Sequence, residues 1–187
     1  MSESRDSVVE CRNVSRRYSR SKRGQKLGLS RFLGEDGDGN TVDALSDVSL
    51  RVNDGEIVGV SGRSGSGKST LLHLMAGLDV PTSGAVLIGG KDTSKMSERE
   101  RAKLRLDNVG IVFQRFRLLP SLTARSNVAM PLVEKGVSKK ERRRRAESLL
   151  EDVGLGERMS HKPGELSGGE QQRVAIARAI VPDPRVV

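Results

Sequence analysis

The chain has 187 residues, enough for one domain with a sizeable core. Apolar residues make up 35% and aromatics 2%, so Val, Leu, Ile and Ala must do the packing, and no apolar run approaches the roughly 18–20 residues that span a bilayer. The formal charge of +9 points to nucleic acid, anionic lipid or a phosphorylated ligand, or to an acidic segment outside these residues, while the lone Cys11 excludes an intrachain disulfide and a cysteine zinc site.

The opening stretch MSESRDSVVECRNVSRRY lacks the apolar core of a secretory signal, so a soluble, cytosolic chain is expected. Its second half, SVVECRNVSRRY, reads as the first strand, with Cys11 as a small packing residue in or beside it and Tyr18 near its end. Residues 19–41 are polar and rich in Gly and Ser, basic first and acidic second, which predicts a flexible loop between two strands. Asp36, Asp38, Asn40 and Asp47 have calcium-loop spacing. Thr41 stands where the loop needs Gly, however, the last ligand is Asp, and no flanking helices are predicted, so no calcium site is expected. TVDALSDVSLRV and EIVGVSG read as two apolar strands joined by the turn Asn53-Asp54-Gly55.

A glycine-rich stretch follows, then an apolar helix, KSTLLHLMAGL, closed by Asp79 to Pro81. GAVLIGGKD is a strand and turn, KMSERERAKLR a polar helix, and NVGIVFQ a buried strand. From LLPSLTARSNVAMPL to HKPGEL the pattern is helical. SKKERRRRAESLLEDVGL puts Ala146, Leu149, Leu150 and Val153 on one face, and its basic run from Lys139 to Arg145 reads as the solvated face. A last helix spans 168–181 with Val174, Ala177, Ile180 and Val181 as its apolar side, and Pro182 and Pro184 forbid its continuation. Strands, a helical insert and a return towards the sheet make an α/β order.

GRSGSGKST, Gly62 to Thr70, satisfies G-x-x-x-x-G-K-[ST] at every fixed position, between a predicted strand and a predicted helix. Gly62, Gly65 and Gly67 let the backbone curl so that successive N–H groups converge, and the helix N-terminus adds open donors. Lys68 can reach the β- and γ-phosphates, and the Ser69 hydroxyl can ligate Mg²⁺. No Asn-Lys-x-Asp element for guanine follows, which favours ATP. In LSGGEQQRVAIARA, Ser167 and Glu170 form a capping box, but Gly168 and Gly169 are poor helix formers in a first turn. Without side chains there, an anion can approach the open N–H groups.

GRSGSGKST, VGIVFQ and LSGGEQQR together resemble the nucleotide-binding subunit of an ABC transporter. TLLHLMAGLDVPTSG, FRLLPSLTARSNVAMPL and AIARAIVPDPRVV resemble its lipoprotein-release and macrolide-export branch. The resemblance implies a P-loop ATPase core with an antiparallel β segment and a helical subdomain over about 115–165, all in one partial ATP-binding domain. Gly62, Arg63, Ser64, Gly65, Ser66, Gly67, Lys68, Ser69 and Thr70 would be the Walker A loop. Lys68 and Gln114 would be catalytic, Ser69 and Gln114 would hold Mg²⁺, and Tyr18 would stack on adenine. Ser167, Gly168 and Gly169, with Glu170 behind them, would cap the γ-phosphate of ATP held by a second copy, which implies a head-to-tail dimer. Transmembrane permease subunits would be the other partners, and the site of action the inner, cytoplasmic face of the cell membrane.

In the family the strand that begins after PDPR runs on to the Walker B carboxylates, with a switch histidine further along. His73 and His161 do not match that switch position and read as surface or packing residues. The resemblance therefore implies a fragment or truncated frame with C-terminal strands missing, able to bind ATP but not expected to hydrolyse it alone, and folding poorly alone. Two other readings stay open: a remnant that only binds ATP, and a non-transport ABC ATPase acting on nucleic acid. The second usually carries coiled-coil or duplicated-cassette insertions that this chain lacks, so no nucleic acid partner is expected.

Overall fold

The computed structural model describes residues 7–19 and 41–187. They form two compact units that divide between Lys95 and Met96. In the first unit, β1 (Ser7–Ser19) and β2 (Thr41–Asn53) pair antiparallel from Ser7↔Asn53 to Ser19↔Thr41. The predicted 19–41 loop, with Asp36, Asp38 and Asn40, otherwise lies outside the described residues. β3 (Ser83–Ile88) pairs antiparallel with the other edge of β1, and β4 (Lys91–Asp92) completes the order β2-β1-β3-β4.

The long β1–β2 ribbon does not keep a constant register. Asn13 and Asp47 both sit in the left-handed region, at φ 48° and 50°, where the register shifts. Asn and Asp tolerate that conformation better than other side chains, and here Asn13 Nδ2 donates to Asp47 Oδ1 at 2.9 Å. Asp47 therefore has a structural role in a bulge.

One face of this sheet is covered by α1 (Lys68–Met75), whose Leu71 and Leu74 pack with Cys11, Val14, Leu45 and Val86. Burying each leucine contributes about 1.5–3 kcal/mol. Cys11 is buried as expected, and burial pushes its thiol up to about 11.

Two predicted strands do not form. EIVGVSG and NVGIVFQ are apolar enough, but a strand also needs a neighbour for its backbone N–H and C=O groups. Among the described residues nothing runs beside 56–61, and Ile57 is 99% exposed. Val109 makes one parallel bridge to Val186, and Val112 is exposed rather than buried. Elsewhere the expected order stands, although α1 ends at Met75, earlier than the sequence pattern suggested.

The second unit opens with α2 (Glu98–Asn108), started by a Ser97–Glu100 capping box. α3 (Ala124–Glu134), α4 (Lys139–Asp152) and α5 (Gly168–Ile180) enclose a core of Val128, Leu132, Ala146, Leu150, Val174 and Ala177. Asn127 is fully buried within it, and its side chain satisfies the loop before α3. Nδ2 donates to the carbonyls of Leu119, Leu122 and Thr123 at 3.1 Å each, and Oδ1 accepts from Leu119 N at 2.8 Å. The basic run on α4 is offset in part. Arg144 and Arg145 pair with Glu141, and Arg143 with Glu147, and the Arg144 bond first of all brings Glu141 down to about 2.

Candidate nucleotide site and signature turn

The bend at 62–70 has the shape its sequence demands. Ser66 N donates to the carbonyl of Arg63 at 3.2 Å, closing a turn at the tip. Gly65 and Gly67 take φ of 80° and 87°, values that glycine alone adopts without strain. Gly67 caps α1 with no side-chain hydrogen bond, so the first-turn amides of the helix keep open donors. Arg63, Ser64, Gly65, Ser66 and Ser69 are exposed, with Lys68 and Thr70 half-buried. Lys68 folds back over the bend, donating from Nζ to the carbonyls of Gly62 at 2.9 Å and Arg63 at 2.6 Å. An exposed ring of amides with a cation across it suits a polyphosphate. A Cβ on Gly65 would meet nothing within 4 Å, so the mouth of the bend is open.

Gly67 is also fixed from behind. A Cβ there would lie 2.3 Å from the Ala44 carbonyl oxygen and 2.9 Å from Leu45 Cδ2. Gly67→Ala therefore combines a left-handed alanine with a backbone clash. The expected cost is about 3 kcal/mol, read as a lower urea midpoint at unchanged slope.

Tyr18 lies in the same unit, 38% exposed, at the end of β1. Its hydroxyl donates to Asp79 Oδ2 at 2.9 Å, and the Arg16 guanidinium lies 4.5 Å from the ring centroid. Neither partner was legible as a site residue; the alternation Arg16–Tyr18 along one strand was the only signal.

In the second unit Gln114 is exposed. It sits inside a turn closed by Phe116 N donating to the Phe113 carbonyl at 2.9 Å. Phe116 and Arg117 follow at φ 47° and 49°, both left-handed and both strained for such side chains. Sequence reasoning missed what holds them. Arg178, on α5 and 9% exposed, donates from Nη2 to the Phe116 carbonyl at 2.6 Å and from Nη1 to that of Arg117 at 2.7 Å. Burial lowers its affinity for a proton, so the two carbonyls matter to the arginine as well. Its signal was an arginine at the i+4 position from Val174, on the apolar face. Arg178→Met should cost about 2–3 kcal/mol and speed tryptic cleavage after Arg115 and Arg117, checked by mass spectrometry of the timed digest.

α5 opens as its sequence prescribes. The Ser167 Oγ accepts from Glu170 N at 3.3 Å, and Glu170 Oε2 accepts from Ser167 N at 2.7 Å. That backbone bond above all holds the Glu170 carboxyl below the usual range. Glu170 is thereby a helix-capping group first. Gly168 and Gly169 are exposed, and their first-turn N–H groups have no partner within the helix.

A P-loop that opens a helix, a glutamine turn and a glycine-rich helix start define a class, the ATP-binding cassette. The ABC transporter family model matches residues 45–187, and the chain belongs to that family. An uncharacterized ABC transporter ATP-binding protein of Thermotoga maritima is 56% identical over 76% of this chain and 61% of its own length. The lipoprotein-releasing system ATP-binding protein LolD of Geobacter metallireducens is 51% identical over 81% of this chain and 68% of its own. The chain thus stands in the lipoprotein-release and macrolide-export branch. The first curated relatives are spanned over 61% and 64% of their length, less than two thirds. Among solved structures, a dimeric post-hydrolysis state of the ATP-binding cassette MJ0796 bound to ADP and Pi matches with TM-score 0.78 and 41% identity, over 94% of this chain and 70% of that one. The family implies ATP binding. No helix among the described residues is long and apolar enough to cross a membrane.

Proposed function

We propose that this chain is the ATP-binding part of an ABC transporter subunit, with both units belonging to one ATP-binding domain whose helical subdomain is 115–165. One observation carries the reading: the exposed 62–70 bend, with left-handed glycines, an uncapped helix start and the Lys68 ammonium folded across it. Gly62, Arg63, Ser64, Gly65, Ser66, Gly67, Lys68, Ser69 and Thr70 would bind the triphosphate, with Tyr18 under the base. Ser69 and Gln114 would hold Mg²⁺, which neutralises charge on the phosphate oxygens when bound. Ser167, Gly168 and Gly169 would seal the phosphate of a second copy, with Glu170 fixing their turn.

ATP hydrolysis coupled to transport, docking on transmembrane permease subunits and residence on the cytoplasmic face of the membrane belong to the same proposal. The similarity to LolD, a lipoprotein-releasing ATP-binding protein, supports it. The alternative of a non-transport ABC ATPase acting on nucleic acid is less favoured, because Arg143, Arg144 and Arg145 of α4 are already paired with Glu147 or Glu141. Isothermal titration of the chain with ATP, with and without Mg²⁺, tests the reading. Binding of ATP in the micromolar range is expected, and no detectable heat or displacement at millimolar ATP would remove it.

A further inference from the structure

Arg16, Tyr18 and Asp79 make a closed set of contacts at the end of β1. The Asp79 carboxylate accepts Arg16 Nε at 3.0 Å and Nη2 at 2.9 Å, the Tyr18 hydroxyl at 2.9 Å and Val80 N at 2.8 Å. With the Arg16 guanidinium over one face, the Tyr18 ring is fixed at its edge and on that face while 38% of the residue stays exposed. A solvent-facing tyrosine at a strand end needs no such fixing for the fold. A stacking surface does, because ordering a free ring would otherwise be charged against the ligand's affinity.

The register places this ring beside the bend. Tyr18 pairs with Val42, two residues, or about 7 Å, along β2 from Ala44. Ala44 in turn is the residue whose carbonyl blocks a Cβ on Gly67. Asp79 is anchored to the same element from the other side. α1 starts at Lys68 and ends at Met75; beyond it Gly77 turns at φ 65°, Leu78 N donates to the His73 carbonyl at 2.8 Å, and Asp79 N to the same oxygen at 3.3 Å. One short helix therefore carries the phosphate bend at its start and the carboxylate that holds Tyr18 just past its end.

We propose that Arg16 and Asp79 are positioning residues that preset Tyr18 for stacking on the nucleotide base, so that preference for a nucleoside triphosphate over bare triphosphate depends on them. The inference rests on the reading of 62–70 as a triphosphate cradle. Neither residue touches the nucleotide; both act through the ring.

The test compares the affinities of this chain for ATP and for inorganic tripolyphosphate. Asp79→Ala should weaken ATP about 5- to 10-fold and tripolyphosphate by less than about 2-fold. Tyr18→Phe keeps the ring and loses only the tie to Asp79, so ATP should weaken about 2- to 3-fold with tripolyphosphate unchanged. An ATP-to-tripolyphosphate ratio unaltered in both variants overturns the proposal. Should Asp79→Ala lose both ligands, its fold is broken and the Tyr18→Phe ratio alone decides. Lys68→Ala separates the two levels: it should weaken ATP and tripolyphosphate together, whereas binding of neither ligand by the unmodified chain removes the cradle reading and this inference with it.

Discussion

Lys68→Ala should weaken ATP binding by about 100-fold while leaving the stability of the chain nearly unchanged. The ammonium would make up to two charge-assisted bonds to the β- and γ-phosphates, each worth about 1.5–3 kcal/mol. The full sum would exceed 100-fold, but the lysine is not idle beforehand. It already donates to the carbonyls of Gly62 and Arg63, and those bonds must be exchanged for phosphate oxygens. The net gain is the difference between a bond to a neutral carbonyl and one to an anion, summed over two contacts, about 3 kcal/mol. In the variant both carbonyls lie on an exposed bend, where water replaces the lysine at little cost. Titration calorimetry reads the affinity, and a thermal melt within about 1 °C of the unmodified chain shows that the loss is local. A variant that bound ATP within a few-fold of normal would mean that the bend amides alone hold the phosphates.

The same contrast between local chemistry and required partners explains how much the sequence disclosed. The bend at 62–70 and the cap at Ser167 were legible because short-range rules suffice for them: a glycine where φ is positive, a hydroxyl three residues before a glutamate. The helix faces of α4 and α5 were legible for a similar reason, and Ala146, Leu150, Val174 and Ala177 are buried as their spacing required. The segments 56–61 and 109–114 were not, because composition states a strand's preference for burial but not whether a neighbour supplies its hydrogen bonds. Ile57 is β-branched, flanked by a good turn, and almost wholly exposed. Asn127, Arg178 and Asp79 were missed for the opposite reason. Each is a polar residue that gathers backbone or side-chain groups distant in sequence, such as Asp79 with Arg16 or Arg178 with Arg117. Such pairings leave no periodic trace.

Gly168→Asp should abolish ATP-driven association of two copies without harming either the helix or the cradle. The space exists: a Cβ on Gly168 would meet nothing within 4 Å. Helix energetics favour the change, since aspartate replaces a glycine in the first turn of a 13-residue helix and places a negative charge at the positive end of its dipole. The Ser167–Glu170 cap uses other atoms and should persist. Thermal stability should therefore hold or rise by a few degrees. What changes is the surface offered to a second copy. Open amides that would face a γ-phosphate acquire a carboxylate, and like-charge juxtaposition at an interface costs several kcal/mol, which corresponds to at least about 100-fold in the dimer constant. Sedimentation velocity at saturating ATP should show a dimer for the unmodified chain and a monomer for the variant, with ATP affinity of the separate monomers within about 2-fold. Because the substitution stabilises the helix that carries it, a lost dimer could not be attributed to unfolding of the turn. A dimer that survived the added charge would place the second copy's contact elsewhere than on the amides of Gly168 and Gly169.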